Sequence, residues 1–136
     1  MNSQVYRILD ANFNRLREAL RVIEEHFRFI DENEAACVSL KQMRHLLTEM
    51  EKNVGQNALL SGRNTESDCL ASKSRPEEMN RVNAGDVLTS NFKRAQEASR
   101  VIEEYSKICD AGKAGEEAKK IRFELYSLQK STAALT

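Results

Sequence analysis

Arg15 and Arg94 occupy the same place in two near-copies of one stretch, Asn12 to Glu25 (NFNRLREALRVIEE) and Asn91 to Glu104 (NFKRAQEASRVIEE), which agree at ten of fourteen positions. The agreement includes Asn12/Asn91, Glu18/Glu97, Arg21/Arg100, Glu24/Glu103 and Glu25/Glu104. A guanidinium fork donates two parallel hydrogen bonds to phosphate or carboxylate oxygens. Arg15 and Arg94 are therefore candidate catalytic groups for an anionic reaction, with Asn12, Asn91, Arg21 and Arg100 as candidate binding groups beside them. Glu18 and Glu97 would orient the arginines or hold a hydrated Mg²⁺, an ion that takes one or two carboxylates together with phosphate oxygens. The plain alternative is a solvated helix surface, because Glu18 to Arg21 and Arg21 to Glu25 are the neighbours that pair along a helix.

A second ingredient lies between the copies. Gly62, Arg63, Asn64, Thr65 and Asp68 put backbone freedom beside an arginine and an acid, which a phosphate-binding turn requires. Arg63, Thr65 and Asp68 join the candidate binding set. Neither G-x-x-x-x-G-K-[ST] nor G-x-G-x-x-G occurs, so a surface loop is the other reading. No Ser/His/Asp or Cys/His constellation supports nucleophilic catalysis. Cys37, Cys69 and Cys109 are odd in number and widely spaced, and His26 and His45 lack metal-ligand spacing. No metal is expected to be held by the protein alone; Mg²⁺ would arrive with its phosphates.

These residues need helices to position them. Tyr6, Leu9, Phe13, Leu16, Leu20, Ile23, Phe27 and Ile30 recur at alternating steps of three and four, which predicts a first helix over about residues 4–30 with that stripe in the core. Asn12, Arg15, Ala19 and Val22 form a second line on its margin. Arg17, Glu18, Arg21, Glu24, Glu25 and Arg28 make up a face expected to be solvated. A second helix is predicted over 34–53, broken from the first by Asp31 to Asn33. Residues 55–75 read as the longest loop, and Ser74-Arg75-Pro76-Glu77 as the start of a short helix to about Val82. Asp86 is the expected cap of the repeat helix, 87–109, whose core line (Leu88, Phe92, Ala95, Ser99, Ile102, Ser106, Cys109) is smaller than that of the first copy. Large residues of one copy should interdigitate with small ones of the other. After a turn over 110–115, a last helix runs over 116–134, with Lys119, Arg122, Leu125 and Lys130 falling where the second helix has Lys41, Arg44, Leu47 and Lys52. The fold expected is an all-α bundle of four to five helices, one domain over 1–136, with repeat units at about 4–53 and 83–134 and a crossover over 54–82.

Composition narrows the partners. Twenty-one basic residues balance twenty-one acidic ones, so no basic surplus points to nucleic acid or an anionic membrane surface. Without a segment of about 20 apolar residues or an apolar leader, the chain reads as cytoplasmic.

The run LDANFNRLREALRVIEE from Leu9 to Glu25, Arg44-His45, Arg63-Asn64-Thr65 with Asp68, and NFKRAQEASRVIEEYSK together resemble the small helical hydroxymethylpyrimidine-phosphate kinase domain, of non-ribokinase type, found at the N-terminus of some bifunctional thiamine-phosphate synthases. The resemblance covers about residues 7–107. It implies transfer of the γ-phosphoryl group of ATP, with Mg²⁺, to the monophosphate of 4-amino-5-hydroxymethyl-2-methylpyrimidine. In the loop the family reads Arg-Asp-Thr and Asp-Val-Gly, where this chain has Arg63-Asn64-Thr65 and Asp68-Cys69-Leu70. A second expectation is therefore a non-catalytic ligand-binding or assembly module for a separate thiamine-phosphate synthase. Assembly into a homo-oligomer, with the site within or between subunits, fits the same sequence.

Overall fold

A computed structural model describes residues 2–75 and 79–133. Among the described residues the fold is carried by α1 (Asn2–Phe29), α2 (Glu34–Val54), α3 (Gln56–Gly62), α4 (Ala84–Tyr105) and α5 (Gly112–Ala133), with a 3₁₀ turn at Ser106–Ile108. No strand occurs among the described residues, and none of their helices is long and apolar enough to cross a membrane. The short helix expected from Pro76 begins outside the described residues.

The stripe on α1 is buried as its spacing predicts, from Leu9 through Phe13, Leu16, Leu20 and Ile23 to Phe27. It ends there, since Ile30 is exposed, and at the other end Val5 is buried while Tyr6 is only partly so. Ala36, Leu40, Met43, Leu47 and Met50 of α2, Phe92, Ala95, Ala98 and Ile102 of α4, and Ala114, Ala118, Ile121 and Leu125 of α5 complete a single core. The most extensive packing is between the repeat helices α1 and α4. Phe27, near the end of α1, meets Phe92, near the start of α4, edge-on at 6.3 Å, so the two run antiparallel.

The hairpin turns repeat each other. Glu32 and Asp110 both adopt φ near +50°, at 50° and 52°. Asn33 N donates to Phe27 O and Ala111 N to Ser106 O, which are matching positions of the two copies.

Four boundaries differ from the sequence expectation. Asn83, not Asp86, caps α4: its Oδ1 accepts from Asp86 N, while the Asp86 carboxylate reaches back to Val82 N. Asn leads at this position because its short side chain reaches the free amides of the first turn. The α-helix stops at Tyr105 and tightens to 3₁₀, and α5 starts four residues earlier than its apolar spacing suggests, at Gly112. Residues 56–62, expected in the loop, form α3, which buries Leu59. Gly55 makes the bend from α2 into α3 at φ +110°, a conformation open to glycine. Gly62 then lies on the α1 backbone, where an added Cβ would sit 3.0 Å from Arg7 N and 3.2 Å from Ser3 O.

Candidate functional site

The α1–α4 contact leaves a groove of about 630 Å³ along one side. Its wall is built in matching pairs: Asn12/Asn91, Arg15/Arg94, Glu18/Glu97, Ala19/Ala98 and Val22/Val101. Only Ser90 and Lys93 come from one copy alone. Ala19 and Ala98 let the helices approach at the middle and form the floor, both being 3% exposed.

The antiparallel register orders the polar groups. With Phe27 level with Phe92, Glu18 and Glu97 lie about 6 Å apart along the helix axes, Arg15 and Arg94 about 15 Å, and Asn12 and Asn91 about 24 Å, at a rise of 1.5 Å per residue. Along the groove the sequence is Asn12, Arg15, Glu18, Glu97, Arg94, Asn91. Carboxylates occupy the centre, arginines flank them, and asparagines mark the ends. Each asparagine donates Nδ2 to the carbonyl four residues back, Asn12 to Ile8 O at 2.9 Å and Asn91 to Val87 O at 2.8 Å, and among the described residues neither Oδ1 accepts a hydrogen bond. Among the described residues, neither Arg15 nor Arg94 has a hydrogen-bond or ion-pair partner, and both are exposed. Three cations (Arg15, Lys93, Arg94) and two carboxylates line the groove. Guanidinium groups open to solvent in this way are able to donate paired hydrogen bonds to anionic oxygens.

The other sequence candidates lie elsewhere. Arg21 sits in a side groove of about 460 Å³ with Arg17, Arg44, His45 and Thr48, and Arg100 in the matching one of about 810 Å³ with Gln96, Arg122 and Tyr126. Glu18 and Glu97 are the ridges shared between each side groove and the central one. Arg63 is committed to Asp10, which accepts from Nε at 2.7 Å and from Nη2 at 2.8 Å and is 6% exposed. That hydrogen bond and charge hold the Arg63 guanidinium above its ordinary pKa. Arg7 fastens the next residue by donating to Asn64 O at 2.8 Å. Thr65 and Asp68 are exposed in a run of turns closed by local bonds, Asn64 Oδ1 accepting from Ser67 N and Asp68 Oδ1 from Leu70 N. None of the three loop candidates is among the residues lining the central groove.

Glu24 and Glu103, expected on a solvated face, are instead buried at 5% and 8% exposure. Arg44 Nε and Nη2 reach Glu24 Oε1 at 3.0 and 2.8 Å, and Arg122 forks onto Glu103 at 2.5 and 3.2 Å. The bond to Glu103 is the main cause raising the Arg122 pKa. A lone carboxylate cannot be buried cheaply, but one held by two charge-assisted bonds can. Arg44 and Arg122 coincide when the hairpins are aligned, and each meets a glutamate of the preceding helix, but no local pattern joins either arginine to its partner.

Residues 7–131 match the model of the ThiD2 family. The chain belongs to the ThiD2 family. It is 42% identical over 125 residues to a thiamine-phosphate synthase of Thermosynechococcus vestitus, covering 92% of this chain and 34% of that protein. Thiamine-phosphate synthases of Prochlorococcus marinus and Nostoc punctiforme are each 38% identical, over 94% and 92% of this chain and 36% and 34% of theirs. The ThiD2-family chain thus spans about a third of the curated relatives it matches. No solved structure matches it.

Proposed function

We propose that this protein acts in thiamine biosynthesis as a hydroxymethylpyrimidine-phosphate kinase, moving the γ-phosphoryl group of ATP onto the pyrimidine monophosphate. The observation that carries the reading is the central groove, where Arg15 and Arg94 stand beside Glu18 and Glu97 without partners among the described residues. Unlike an alcohol, the attacking phosphate oxygen is already ionised near neutral pH, because the second phosphate pKa is about 6. No general base is required of the protein. What remains is to hold two polyanions together and neutralise the charge, the work that arginines do in phosphoryl transfer. Mg²⁺ brought with ATP would supply further neutralisation, and Glu18 and Glu97 fit it, being paired carboxylates near the groove centre with room for phosphate oxygens.

A second reading, a non-catalytic binding or assembly module serving a thiamine-phosphate synthase, is favoured by the loop: Arg63 is occupied by Asp10, and Asn64 and Leu70 depart from the family pattern. A coupled assay for diphosphate formation with ATP, Mg²⁺ and the pyrimidine monophosphate separates the two. Turnover supports the kinase. Thermal stabilisation by either ligand without turnover supports the module and removes the kinase reading.

A further inference from the structure

We infer that the groove is a two-ended polyphosphate site, in which Arg15 and Arg94 are equivalent stations for the phosphates on either side of the transferred group. The inference rests on the kinase reading for the identity of the reactants, and on the order of groups along the wall for the rest. In the transfer, the γ-phosphorus breaks its bond to the β–γ bridging oxygen, whose electron pair leaves with ADP, and forms a bond to an oxygen of the acceptor monophosphate. Both flanking atoms are phosphate oxygens and lie roughly in line. The reacting chain therefore reads almost the same in either direction, as phosphate, phosphoryl, phosphate. So does the wall, as Asn, Arg, Glu, Glu, Arg, Asn. Arginines about 15 Å apart along the helix axes, with side chains able to reach inward, bracket a four-phosphorus chain from opposite ends. The central glutamates then face the middle of the chain, where Mg²⁺ carried by the phosphates would have to stand between the like charges. Lys93, whose counterpart in the first copy is Asn14, makes the Arg94 end the more positive, so that end suits the more highly charged nucleotide.

The test uses linear inorganic tetraphosphate and pyrophosphate with Mg²⁺, titrated calorimetrically into the full chain. One tetraphosphate should bind per chain, at least about tenfold more tightly than pyrophosphate. Arg15→Gln and Arg94→Gln should each weaken tetraphosphate by about tenfold or more, equal to one another within about threefold, with unchanged helical circular dichroism. Pyrophosphate should lose far less in either variant, because the other station remains. Lys52→Ala, a charge change on α2 away from the groove lining, should leave both affinities unaltered. Loss through one arginine alone, two tetraphosphates per chain, affinity independent of length, or an equal loss in the Lys52 variant overturns the two-ended site. Turnover in the coupled assay beside unequal arginine losses refutes this inference and leaves the kinase; equal losses without turnover do the reverse.

Discussion

The hairpins α1–α2 and α4–α5 share one plan and differ in what fills it. At the seam inside each hairpin the buried glutamate–arginine clasp is retained, as Glu24–Arg44 and Glu103–Arg122. At the next position along the seam the first hairpin pairs Arg17 with Glu51, and the second pairs Gln96 Nε2 with Gln129 Oε1 at 2.9 Å. Donor and acceptor survive there without the charge. In the core the first hairpin contributes Leu16, Leu20, Phe27 and Leu40, where the second has Ala95, Ser99, Ser106 and Ala118, and all eight are buried. Large side chains from one half fill space vacated by the other. The copies therefore drift wherever a partner can compensate. Glu24 and Glu103 stay alike because each is a buried carboxylate that must be met by an arginine of the following helix. Asn12, Arg15 and Glu18 stay like Asn91, Arg94 and Glu97 although, among the described residues, no ion pair holds them; the ligand proposed for the groove would supply that constraint.

The largest effect that tests this sorting is catalytic. Arg15→Ala or Arg94→Ala should each reduce the proposed phosphoryl transfer by about 10³-fold or more while the urea midpoint stays within error. Equal losses in stability and rate would show the arginines to be structural after all. Next comes the uneven core. Leu20→Ala should cost about 3 kcal/mol in urea denaturation, and its counterpart Ser99→Ala less than about 1 kcal/mol, since the Ser99 hydroxyl bonds only to Ala95 O of its own helix. The two clasps should differ less than the two core positions. Arg122→Met strands the buried Glu103 carboxylate and should cost about 3 kcal/mol, whereas Arg44→Met leaves Glu24 with Arg21 Nη1 at 3.3 Å and should cost less. The smallest effect belongs to the seam pair that the copies made differently. Arg17→Gln with Glu51→Gln turns the first hairpin into the second at that point and should change stability by less than about 1 kcal/mol.

The helices, the core stripe and the doubled hairpin were legible because burial imposes a period that survives in any single copy. Individual ion pairs were not. Glu24 looks like its neighbours Arg21, Glu25 and Arg28 when α1 is considered alone, and only the arrival of Arg44 from α2 turns it inward. Asp10 carried a fainter sign, since it lies between Leu9 and Phe13 on the apolar arc, where a carboxylate requires a cation; the cation, Arg63, is 53 residues away and no local pattern connects them. Helix α3 escaped because seven residues with a single buried leucine are too short to display a period. Of the candidate site, the six groove residues were found from their repetition, and Lys93 was missed because it is one of the positions where the repeat fails.

That failure is informative when the chain is compared with the assembly its symmetry imitates. Two identical hairpins meeting through one self-complementary surface would form an isologous dimer, in which every residue on the groove appears twice. A dimer of that kind must offer the same grip to both ends of whatever it holds. Joining the halves in one polypeptide lifts the obligation: Lys93 and Ser90 stand at one end, Asn14 and Ala11 at the corresponding places of the other. The crossover is thus more than a connector, because it gives a twofold cleft the freedom to tell left from right.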